Sequence, residues 1–68
     1  MSAQMLYHLQ QALPFRPFEL FLADGRTMSV GNMEFFNTAD DGQSFVLFTL
    51  PDTEEILDPA LIVSAKFL

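Results

Sequence analysis

The stretch PFRPFELFLADGR, Pro14 to Arg26, decides how this chain folds. Its two prolines, Pro14 and Pro17, each push the preceding residue away from helical geometry. Leu13 and Arg16 are therefore extended, and Pro14-Phe15-Arg16-Pro17 reads as a connector between two kinds of structure. Beyond it Phe18, Leu20 and Leu22 alternate with Glu19, Phe21 and Ala23. That is strand spacing. Asp24-Gly25 follows as a two-residue hairpin signal, because such a turn needs positive φ, which glycine adopts without steric cost.

Toward the N-terminus the period changes. Met5, Leu6, Leu9 and Leu13 recur at three- and four-residue intervals, with Gln4, His8, Gln10 and Gln11 between them. This predicts an amphipathic helix that ends by Leu13, with Ser2 as its N-cap. Toward the C-terminus, Arg26 to Val30 runs back as a second strand with Met28 and Val30 on one side. Gly31-Asn32 marks a bulge or bend, and Met33 to Thr38 is either a resumed strand or an irregular arm. Asp40-Asp41-Gly42-Gln43 is a turn. Ser44 to Leu50 is the strongest strand, with Phe45 and Leu47 on one face and Val46, Phe48 and Leu50 on the other. Pro51-Asp52-Thr53-Glu54 turns again, Glu55 to Asp58 is a short strand, Pro59-Ala60-Leu61 a single tight turn, and Ile62 to Leu68 the last strand.

The expected architecture is thus one mainly β domain over residues 1–68. A helix (1–13) and a connector (14–17) precede a strongly bent, five-stranded antiparallel sheet (18–68) that closes into a small barrel. Closure removes exposed edges, and the alternative is an open sheet with the helix laid across one face. Phe15 is placed to plug the barrel end that the helix covers. Arg16 and Arg26 are expected to be solvated and paired with Glu19 or Asp24.

A chain of 68 residues hides only about 60% of the surface its unfolded form exposes, so a further source of stability is expected. With no cysteine, disulfides and cysteine-ligated zinc are excluded, and His8 has no second histidine to share a metal with. Association with another copy remains, and half of the residues are apolar, eight of them phenylalanine. The N-terminus lacks the basic start and apolar run of a signal peptide, and no stretch approaches a membrane span, so a cytoplasmic protein is expected. The net charge of −6 repels polyanions at long range.

No catalytic constellation or cofactor site is legible. His8 lies on an exposed helix face, and Ser29, Ser44 and Ser64 fall in strands without a nucleophile elbow. The acidic groups Asp52, Glu54, Glu55, Asp58 and Asp40-Asp41 lack the spacing of a calcium loop. No enzyme, metal or cofactor is expected. Self-association is the favoured role, because the helix has one apolar stripe and cannot cover both apolar surfaces of the strands. The expected interface residues are Phe21, Val46, Phe48, Leu50, Phe67 and Leu68, with the Ser44–Leu50 strand of one copy paired to the last strand of the next.

Two resemblances accompany these readings. PFRPF, the LADGR hairpin, the Glu34-Phe35 arm and the terminal ILDPALIVSAKF resemble a group of short bacterial proteins of unknown function. More loosely, Leu20, Leu22, Asp24, Gly25, Arg26, Gly31, Phe36 and Asn37 are similar in kind and order to the first Sm motif, and Ile62-Val63 to the end of the second. Resemblance to Sm-like proteins implies a helix followed by a five-stranded bent barrel, assembly into rings, and RNA as an alternative partner. Phe35 and Phe36 are the candidate platforms for stacking bases, and in this alternative Phe36 and Asn37 would hold the RNA, Asn37 bonding a base edge. The turn Asp58-Pro59-Ala60 lacks the arginine and glycine of the second motif, and that arginine is the one that grips RNA in the family. Three cations are also too few for a basic groove, so nucleic acid is disfavoured as a partner.

Overall fold

A computed structural model describes residues 1–49 and 52–68. Helix α1 (Ala3–Gln11) is followed by strands β1 (Phe18–Leu22), β2 (Thr27–Val30), β3 (Phe36–Thr38), β4 (Phe45–Thr49), β5 (Thr53–Leu57) and β6 (Ile62–Phe67). Short 3-10 turns at Met33–Phe35 and Pro59–Leu61 lead into β3 and β6. The strands form two antiparallel three-stranded sheets, ordered β2-β1-β6 and β3-β4-β5. The mainly β class with one N-terminal helix is as the sequence predicts. The closed five-stranded barrel is not: among the described residues there are six strands in two sheets, and the sheet is interrupted at Gly31–Phe35. The interruption has a local cause. Asn32 caps the first 3-10 turn, its Oδ1 accepting from the Glu34 amide at 2.9 Å, while its carbonyl accepts from the Phe35 amide at 3.0 Å. These local bonds take backbone donors that a continuous ladder would need.

The connector acts as its prolines dictate, and β1 begins at Phe18. The hairpin after it is one residue longer than Asp24-Gly25 alone suggests. The Leu22 amide donates to the Arg26 carbonyl and the Gly25 amide to the Leu22 carbonyl, enclosing Ala23-Asp24-Gly25 with Gly25 at φ +92°. A turn followed by a left-handed residue is the usual three-residue solution. Gly42, at φ +70°, serves the β3–β4 turn similarly.

The inner faces of both sheets supply the core: Phe18, Leu20, Leu22, Val30 and Ile62 from one, and Phe36, Phe45, Leu47 and Leu57 from the other. Register explains the pairing, since Phe18 faces Val30, and Phe45 faces Leu57. The rings of Phe15, Phe18, Phe36 and Phe45 form a chain. Phe18 meets Phe36 edge-on at 5.8 Å across the two sheets, and Phe36 stacks on Phe45 at 4.9 Å. Each fully buried ring contributes about 1.5–3 kcal/mol by transfer, and aromatic pairing about 0.5–1.5 kcal/mol more. Phe15 is half-buried and tilted against Phe18 at 5.8 Å, a place consistent with closing that end of the core.

Helix α1 is capped by Ser2, whose Oγ accepts from the Met5 amide at 3.2 Å. Its buried face differs from the expected stripe. Leu6 is fully buried and Leu9 half-buried, but Met5 and Leu13 are exposed, and Gln10 takes the place one turn beyond Leu6. Because the helix stops at Gln11, Leu13 lies beyond it and escapes the stripe. His8 is exposed, as its helix face implies.

Candidate functional site

Alternation along a strand places every second residue on the outer face of its sheet. In the β2-β1-β6 sheet the outer face carries Glu19, Phe21, Thr27, Ser29, Ser64 and Lys66, which pair across the strands as Glu19–Ser29, Glu19–Lys66, Phe21–Thr27 and Phe21–Ser64. In the β3-β4-β5 sheet it carries Asn37, Val46 and Ile56 in one row and Phe48 beside Glu54 in the next. The second face is the apolar one. Phe48 is 45% exposed and Ile56 68% exposed. They line an open depression of about 580 Å³ together with Asn37, Val46 and residues of the β3–β4 turn.

The structure separates five of the six expected interface residues into three places. Val46 and Phe48 share the apolar depression. Phe21 is half-buried on the outer face of the other sheet. Phe67 and Leu68 are exposed at the end of the chain, where the Arg16 guanidinium lies 4.0 Å over the Phe67 ring. Leu50 lies outside the described residues. Sequence reasoning missed Ile56 and Val63, which are 68% and 63% exposed. Each follows or precedes another apolar residue, Leu57 or Ile62, and in a strand such neighbours cannot both face the core. Val63 is the additional residue at an irregularity, for Leu22 pairs with Ile62 while Phe21 pairs with Ser64.

The proposed pairing of the Ser44–Leu50 strand with a neighbour requires correction. β4 is bonded on both sides, to β3 and to β5, and has no backbone edge to offer. The strands with one partner each include β5 and β6. The alternative RNA residues are also constrained. Phe36 is 0% exposed between Phe18 and Phe45, so its ring has no free face for a base. Asn37 has both ends of its amide engaged: Oδ1 accepts from Gln10 Nε2 at 3.4 Å, and Nδ2 donates to the Glu34 carbonyl at 2.8 Å.

Electrostatics distinguish the regions further. Arg26 holds Asp24 through Nε and Glu55 of β5 through Nη1, each at 2.7 Å, and so ties the β1–β2 hairpin to the other sheet. These partners raise the Arg26 pKa, and Arg26, through backbone and side-chain hydrogen bonds, lowers that of Asp24. Asp24 was an expected partner; Glu55, twenty-nine positions away, was not. Asp41 accepts from the amides of Ser44 and Gln43 and from the Ser44 hydroxyl, each at 2.8 Å, which holds its carboxyl below the usual range. Among the described residues, no three His, Asp or Glu side chains gather as a metal-holding group, and no helix is long and apolar enough to cross a membrane.

Comparison with known proteins adds no relative: no protein-family model, curated protein or solved structure matches this chain.

Proposed function

We propose that this chain is a structural or protein-interaction module that assembles with copies of itself by pairing β5 of one copy to β6 of the next. The observation that carries the reading is the pair of one-sided strands with apolar side chains along them. β5 presents Ile56, and β6 presents Val63 and Phe67 with Leu68 just beyond. The other one-sided strands, β2 and β3, expose Thr27, Ser29 and Thr38 instead, and only Gly31–Phe35 separates them.

Followed through that link, the strand order is β6-β1-β2 then β3-β4-β5, which supports an Sm-like outline with β6 and β5 at the two ends. Unlike edges that meet head to tail close into a ring or run on as a filament. Each apolar side chain covered contributes about 1.5–3 kcal/mol, and backbone bonds between the edges add to it. Association itself costs about 4–15 kcal/mol, so one contact is weak and ring closure, which makes two per copy, is favoured.

Light scattering across a size-exclusion peak tests this. The native chain should elute as a multimer, and a Val63→Lys/Ile56→Lys chain, still folded by circular dichroism, as a monomer. A monomeric native chain at high concentration, or an unchanged mass in the double variant, rejects the reading.

A further inference from the structure

The apolar outer face of β3-β4-β5 shares Ile56 with the β5 edge, but its Val46 and Phe48 lie on β4, which is paired on both sides and takes no part in edge pairing. Its floor is Val46, Phe48 and Ile56, and Asn37 closes one side. Its carboxylates are not scattered at random around that floor. Asp40 and Asp41 stand in the turn that precedes β4, whereas Glu54 stands beside Phe48 near the opposite end of the strand. The floor is therefore bracketed by negative charge at both ends. All three carboxylates are exposed, and among the described residues none has a cationic partner. The three bonds that Asp41 accepts favour its ionised form, so the charge at that end persists to lower pH than on a free aspartate.

These features select among possible occupants. A polyanion is repelled locally as well as by the net charge of −6. A second copy of this chain is a poor match, since it brings nine acidic residues and three cations. Of those cations Arg26 is held by Asp24 and Glu55, and Arg16 lies over Phe67. A neutral apolar segment would cover the floor but leave the carboxylates partly desolvated and unmatched. A segment with apolar side chains between two basic ones satisfies floor and rim together.

We propose that the outer face of β3-β4-β5 docks a basic, amphipathic polypeptide segment of a partner protein, with apolar side chains on Val46, Phe48 and Ile56 and a cation at each end facing Asp40/Asp41 and Glu54. An extended segment with alternating residues places its apolar and basic side chains on one side. Rim charges of this kind steer encounter and select partners, while the floor supplies the apolar burial.

The test uses a fluorescein-labelled peptide, Lys-Ser-Leu-Ser-Leu-Ser-Lys, titrated with the full chain and followed by anisotropy. Saturable binding that weakens with added salt is expected, together with amide shift changes centred on Asn37, Val46, Phe48 and Ile56 in the native protein. Phe48→Ser/Ile56→Ser should weaken binding about tenfold or more, which corresponds to loss of roughly one half-buried apolar side chain. Asp40→Asn/Glu54→Gln should weaken it severalfold, and Glu19→Gln on the other sheet should leave it unchanged. Absence of saturable binding, equal binding of a peptide with serine in place of leucine, equal loss in Glu19→Gln, or shifts centred elsewhere overturns the proposal. So does finding that the Val46 and Phe48 amides of β4 shift with the chain's own concentration in a Val63→Lys chain before peptide is added, because the face is then occupied by a second copy independently of the edges.

Discussion

The two sheets obey the same alternation and differ in what they turn outward. Inside, β2-β1-β6 and β3-β4-β5 contribute apolar side chains to one core. Outside, the first sheet surrounds its one phenylalanine, Phe21, with Thr27, Ser64, Glu19 and Lys66, and Phe21 is half-buried. The second sheet presents Val46, Phe48 and Ile56 as a contiguous floor. An isolated apolar side chain on a surface is ordinary, whereas a contiguous group on a sheet face costs solubility and marks a surface kept for contact. The informative asymmetry in this small protein lies between its outer faces.

The comparison between inner and outer phenylalanines gives the largest expected effect. Phe36→Ala opens a cavity between Phe18 and Phe45 and should cost about 3–5 kcal/mol, enough to unfold a chain of this size at ambient temperature. Phe48→Ser, on the outer face, should cost about 1 kcal/mol or less and leave the circular dichroism spectrum native. Urea titrations of the two variants check this directly; comparable losses would show that the outer face is covered in solution. A smaller effect separates face from edge. If the edges alone assemble the protein, Phe48→Ser leaves the mass measured by light scattering unchanged, while Val63→Lys lowers it.

The clasp between the sheets comes next. Arg26→Ala removes both ion pairs and leaves half-buried Glu55 without its cation, so the thermal midpoint should fall modestly. Arg26→Lys, which keeps the charge but cannot hold both carboxylates with a planar fork, should recover only part of the loss. The smallest effect is on acid stability. Asp24 and Asp41 have folded pKa values below the ordinary 3.8, so their contribution is present above that value and is lost as pH falls through the lower folded one. Thermal midpoints should therefore drop below about pH 4. Asp41→Asn should be slightly less stable at pH 7 and show a shallower acid limb.

Much of the local structure was legible in the sequence because its causes are local. Pro14 and Pro17 end the helix and direct the chain into β1; Ser2 caps the helix. Gly25 and Gly42 sit where positive φ is needed. Asp58 caps the last 3-10 turn, its Oδ1 accepting from the Ala60 amide at 2.8 Å. The outward direction of Val46 and Phe48 followed from the period of two. Of the candidate site, two floor residues were named and Ile56 was not, because a short run containing two adjacent apolar residues does not state which of them faces in.

The remaining features depend on partners distant in sequence. The chain by itself determined the helix, the hairpin and the turns, since these rest on φ preferences and on side-chain bonds within a few residues. It did not determine that β4 would be paired on both sides, or that Phe36 would be enclosed by Phe18 and Phe45. Nor did it determine that Arg26 would reach Glu55 or that Gln10 would take a buried place on α1. Alternation assigns a side chain to one of two faces, but it carries no information about which strand lies alongside. Only the packing of the two sheets converts a face into a core, an edge or a docking surface.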